Sequence, residues 1–134
     1  MHINRKNKNK AFTMIECLMI TLVIAILVLI SAPNMLRARM MANDSSAKAT
    51  LRTLAEAAKM YKLNTGGQYP TNVALLLNSS NGYIKENYCG TTENGFTFSC
   101  SFSSNTFTFR ADPVNAGVSG TTTYTITTGG VLMP

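Results

Sequence analysis

The sequence predicts an α+β protein, in which one long N-terminal helix packs its C-terminal half on a small antiparallel sheet. Three observations predict it. A run from Cys17 to Ala32 holds no charge and only Thr21 and Ser31 as polar residues. Past it, Leu51, Leu54, Ala58 and Tyr61 recur at helical spacing, an apolar stripe on an otherwise polar helix. The final third alternates aromatic and polar residues with the period of a strand.

The apolar run covers roughly 24 Å at 1.5 Å per residue. Phe12–Met14 and Pro33–Leu36 extend it enough to cross a hydrocarbon core of about 30 Å. A continuous helix from Phe12 to Leu63 would be about 78 Å long. A chain of 134 residues cannot bury that much helix, so its first half must lie in lipid or against other copies. Pro33 removes a hydrogen bond from the helix interior and predicts a kink. Gly66-Gly67 ends the helix.

Val73–Leu77 is a short apolar run expected to pack back on the helix, and Asn78-Ser79-Ser80-Asn81-Gly82 reads as a loop. Phe96, Phe98, Cys100 and Phe102 alternate along Gly95–Phe102, and Phe107 and Phe109 along Asn105–Ala111. Ser103-Ser104 between them suggests a hairpin, and Asp112-Pro113 is expected to stop the second strand. Thr122–Thr128 alternates around Tyr124 and Ile126, and Gly129-Gly130 turns into Val131-Leu132.

Charge narrows the function. The 134 residues carry 12 Lys+Arg against 6 Asp+Glu, a net charge of +6. Arg5, Lys6, Lys8 and Lys10 all precede Phe12, so residues 12–134 keep only +2, no footprint for nucleic acid. The basic leader places the N-terminus in the cytoplasm and the rest outside, a bias that Arg37 and Arg39 weaken without reversing. A removed secretory signal is the alternative, but no A-x-A-like site follows, and Ile30-Ser31-Ala32-Pro33 puts proline where cleavage would be needed. Arg37, Arg39, Lys48, Arg52, Lys59 and Lys62, with Asp44 and Glu56 among them, read as a solvated helix face, with salt bridges between subunits as the alternative and DNA contact as a third reading. His2 is the lone histidine, Asp112 and Glu93 stand apart, and no phosphate loop or carboxylate cluster occurs. No enzyme activity, cofactor or metal site is expected.

Glu16 stands out. A carboxylate in the first turns of a membrane-length helix is costly and calls for a partner. A cut after Ala11 would turn Phe12 into an N-terminal amine close to it. Lys10-Ala11-Phe12-Thr13-Met14-Ile15-Glu16, followed by the apolar run and Pro33, resembles the processing and methylation motif of type IV pilins and type II secretion pseudopilins. The resemblance is close over the leader and the next fifty or so residues and loose beyond.

That resemblance implies a pilin-like lollipop with a leader at 1–11, a transmembrane and filament-core helix at 12–36, an amphipathic helix at 37–63 and a head at 64–134. It implies cleavage between Ala11 and Phe12 by a prepilin peptidase, N-methylation of Phe12, and Glu16 neutralising the Phe12 amine of a neighbouring subunit. The partners implied are further copies of the chain and an assembly platform in the bacterial inner membrane, where the precursor would wait. The function expected is structural subunit of an extracellular type IV pilus. A periplasmic pseudopilin is the alternative, and a monomeric membrane-anchored binding protein a third reading. Two positions depart from the family pattern: Ala11 stands where glycine is usual, and no glycine lies near Ala25, leaving Pro33 as the helix breaker. In an oxidising exported half, Cys89 and Cys100 are expected to pair, closing a short loop worth about 3 kcal/mol in the chain-entropy model. Cys17 reads as a small hydrophobe.

Overall fold

The computed structural model describes residues 12–77 and 82–134. The leader with Ala11, and residues 78–81 of the expected loop, lie outside them. Helix α1 spans Met14–Asn64, and α2 spans Ala74–Leu77. Five strands follow: β1 (Thr92–Glu93), β2 (Phe96–Phe102), β3 (Phe107–Pro113), β4 (Tyr124–Thr127) and β5 (Leu132–Met133). They form one antiparallel sheet in sequence order, the α+β fold that the residue pattern predicts.

The chain divides into two compact units, one ending at Met35 and the other running from Leu36 to Pro134. In the first, the large apolar side chains from Phe12 to Met35 are all 49–85% exposed. Helical assignment continues through Pro33. Near it, Ser31 Oγ donates to the Leu27 carbonyl at 2.9 Å and Asn34 Nδ2 to that of Ile30 at 3.4 Å. The N–H that Pro33 lacks would have met the Leu29 carbonyl, which neither of these two bonds reaches.

The second unit has a closed core. Leu51, Leu54 and Ala58 of α1 are wholly buried, as are Phe96 and Phe109 from the sheet's inner face. Ala47 lies among them, and α2 adds Leu76 to the same core. The small side chains on α1 let bulky rings approach the helix closely. Strand alternation does the rest: Phe96 and Phe98 point in, Thr97 and Ser99 out. α1 ends where Gly66 and Gly67 take φ of 81° and 102°, and the Gly67 N–H reaches the Lys62 carbonyl at 2.9 Å. Only glycine reaches that left-handed cap without strain. Cys89 and Cys100 are disulfide-bonded, with Cα atoms 5.5 Å apart, which pins the chain ahead of β1 to β2.

Three expectations need correcting. Asp44 does not sit on a solvated face; it is 7% exposed. Its Oδ1 accepts the Thr121 N–H at 3.0 Å and its Oδ2 the Thr121 hydroxyl at 2.7 Å, so the carboxylate holds the β3–β4 connection on α1. Gly120 fits there because any Cβ would strike the Phe96 ring. Secondly, Asp112-Pro113 does not stop β3 beforehand, since both residues pair with β2, as Thr97↔Asp112 and Phe96↔Pro113. Pairing with β4 extends no further than Ala111↔Tyr124, so Pro113 breaks no ladder on that side. Thirdly, Asp112 is not isolated. Arg110 Nε lies 2.9 Å from both its oxygens, and the Thr123 hydroxyl donates to Oδ1 at 2.7 Å.

Two predictions follow from these carboxylates. Asp44→Ala removes the charged acceptor of the Thr121 N–H and hydroxyl and should cost about 1–3 kcal/mol of stability, read from urea denaturation. The hydrogen bond from the Arg110 guanidinium holds the Asp112 carboxyl below its usual range, outweighing the opposing effect of burial, with Thr123 adding to the lowering. A depressed folded-state value means stability that is present above the ordinary aspartate pKa and lost as pH falls through the folded one. Asp112→Asn should therefore flatten the acid limb of a stability–pH curve; a variant limb as steep as the parent's would refute the assignment.

Candidate assembly site

The site begins at the N-terminus of α1. Thr13 stands just ahead of the helix, and its carbonyl accepts the amides of Glu16 at 3.0 Å and Cys17 at 3.3 Å. The Glu16 side chain turns back: Oε2 receives the Thr13 backbone N–H and the Thr13 hydroxyl, each at 2.9 Å. This is the return half of a capping box, a Glu in the first turn satisfying a donor that the helix cannot. The positive end of the helix dipole favours the negative charge at the same place.

Glu16 therefore has an internal partner that the reading of a lone carboxylate missed. The signal was in the sequence, as Thr13-Met14-Ile15-Glu16 carries the T-x-x-E spacing of a capping box. Among the described residues, the side-chain hydrogen bonds of Glu16 all fall on Oε2. Phe12 lies just before the helix and is 72% exposed. No Lys, Arg or His occurs between Phe12 and Leu36, so that stretch supplies Glu16 with no cationic side chain. Chemically, the site is a held carboxylate among exposed apolar side chains, suited to one cation brought from outside.

Of the other expected residues, Pro33 lies inside α1 and Cys89 is bonded to Cys100. Cys17 is a free thiol, exposed beside Glu16. The first part of α1 is long and apolar enough to cross a membrane. Asp44 is the further key residue, and its position gave little sign of its role.

A long helix with an apolar, exposed first part and a carboxylate in its first turn, carrying a small antiparallel sheet on its later part, defines a pilin-like structural subunit. The chain is 31% identical over 107 residues to the type IV wide pilus major component PilA4 of Thermus thermophilus, covering 78% of this chain and 82% of that one. It is 34% identical over 59 residues to the competence protein ComGC of Streptococcus pneumoniae, covering 44% of this chain and 55% of that one. Against the ComG operon protein 3 homolog of Bacillus licheniformis, identity is 32% over 78 residues, 58% of this chain and 77% of that one. No family model and no solved structure matches the chain. The chain belongs to the type IV pilin and pseudopilin family.

Proposed function

We propose that this chain is a pilin, the structural subunit of a type IV pilus, made as a membrane precursor and polymerised through the first part of α1. The observation that carries the reading is the continuous exposed apolar surface from Phe12 to Leu36 with Glu16 held at its start. The likeness to a pilus major component over most of both chains supports it.

In this reading a prepilin peptidase cuts between Ala11 and Phe12, and Phe12 is N-methylated. Residues 12–36 anchor the precursor in the inner membrane and then form the fibre core; 37–63 continue the helix into the head of 64–134. A bend at Pro33 would let the two helix segments follow different directions. Lipid tails are as apolar as leucine, so moving the helix from membrane to fibre gains little from the hydrophobic effect. Packing and polar pairing decide instead. Each subunit brings one cation, the new Phe12 amine, and one anion, Glu16. The amine of one copy pairs with Glu16 of the next, so two charges that are costly in hydrocarbon neutralise each other. Thr13 keeps Oε2 and leaves Oε1 to receive it.

A pseudopilin remains the second reading, favoured by the local similarity to ComGC, a competence protein by name. Mass spectrometry should find a mature chain starting at methylated Phe12, and shearing of cells should release long fibres containing it. Short periplasmic assemblies without sheared fibres would select the pseudopilin. Glu16→Ala should be processed normally yet lower the fibre yield at least about tenfold, as expected for loss of a pairing worth at least about 1.4 kcal/mol. Abundant normal fibres from that variant would sink the mechanism.

A further inference from the structure

The second unit carries charge that its own fold does not neutralise. Among the described residues the one salt bridge is Arg110–Asp112, at 2.8 Å. With a turn of about 100° per residue, Arg37, Lys48, Arg52 and Lys59 fall within roughly 60° of arc on α1. This flank lies toward β4 and β5: Lys48 Nζ sits 4.6 Å from the centre of the Tyr124 ring, and Lys59 reaches Gly130. Arg52 and Lys59 are exposed. Glu56 borders the same flank, leaving it strongly positive.

The opposite flank carries acid. The segment from Gly82 to Asn94 runs along it, fixed at one end by Asn64 Nδ2 donating to the Tyr83 hydroxyl at 2.7 Å. At the other end Asn94 Nδ2 donates to Ser46 Oγ at 3.0 Å. Ser46 and Asn64 lie roughly 120–180° round the helix from the basic flank. Glu86 and Glu93 are exposed on this segment, Glu93 on the outermost strand β1. Arg39 and Lys85 share this side, so any attraction is local to the two carboxylates. Asp44 is buried and Asp112 engaged, which makes Glu86 and Glu93 the exposed acids of the unit away from the basic flank.

We propose that Arg52 and Lys59 of one copy dock on Glu86 and Glu93 of a second copy, as a lateral contact between heads. The proposal rests on the filament reading above. The occupant follows from charge complementarity within one sequence: one flank is net positive even with Glu56 at its border, and the other exposes Glu86 and Glu93 as local acceptors. Such a pairing is not self-complementary, so it cannot close a two-fold dimer and instead extends from copy to copy. Like charges facing each other across such a contact would oppose it.

The test is a charge swap in the full-length chain. Glu86→Lys with Glu93→Lys, and separately Arg52→Glu with Lys59→Glu, should each lower the yield of sheared fibres at least about tenfold, as juxtaposed like charges require. Combining all four should bring it back to within about threefold of the parent, since complementarity is restored. Disulfide formation and the urea midpoint check that each variant folds; if Lys59→Glu fails this check, Arg52→Glu with Glu93→Lys replaces the swap. Parental yield from either reversed variant, or no recovery in a folded combination, overturns the contact. Absence of fibres from the parent chain would instead defeat the filament reading itself.

Discussion

A helix of 51 residues in a chain of this size can cover only part of itself, and the rest of the structure depends on which part. From Ala47 to Ala58 the helix offers small and aliphatic side chains at intervals of three and four, and a sheet with an aromatic inner face closes over them. From Phe12 to Leu36 the large side chains are apolar on every face, and a single small sheet covers one face only. A helix apolar all round belongs in lipid or among other helices. One continuous helix therefore answers to two environments, and the change of sequence between them falls at Arg37.

Polar groups divide along the same line. In the head, Asp44 spends its charge inside the fold, accepting two hydrogen bonds from Thr121 and so fixing a long connection to the helix. At the start of α1, the Glu16 side chain meets Thr13 alone among the described residues, through one oxygen. The first carboxylate completes a tertiary structure; the second completes a helix terminus and keeps acceptor capacity in hand. In the proposed assembly that spare capacity is what a neighbouring amine would fill.

Local patterns made most of this legible. The apolar run, the stripe through Leu51, Leu54 and Ala58, and the alternation of Phe96 and Phe98 are short-range signals, and each matched its element. The disulfide was legible from two cysteines on one side of a membrane. Asp44 was not, because its partner lies 77 residues away and nothing near Asp44 marks it as different from Glu56. β1 escaped for a related reason: two residues cannot show alternation, and its pairing comes from a turn at Asn94, with φ of 48°, and Gly95. β3 runs through Pro113 because at that point it pairs with β2 alone, leaving no ladder with β4 to break. The Thr13–Glu16 capping spacing is a local signal too, lying across the edge of the apolar run.

The two units are alike in one respect. In the proposed filament each unit brings a cation of one copy to an anion of the next: the amine that the proposed cut would free on Phe12 to Glu16, and Arg52 and Lys59 to Glu86 and Glu93 on the head. A chain that satisfied these charges internally would be a finished monomer. Contacts built from separated, complementary groups are heterologous, and heterologous contacts generate open assemblies when the rotation between copies does not close. The proposed core pair forms where water is excluded and therefore acts strongly at short range. The proposed head pair is solvent-exposed, weak singly and screened by salt. In that proposal the head pair would set the rotation of one head against the next, while the core pair would set whether a subunit joins at all. Weak, ordered contacts on the outside and a strong one inside suit a polymer that must add subunits one at a time and in one orientation.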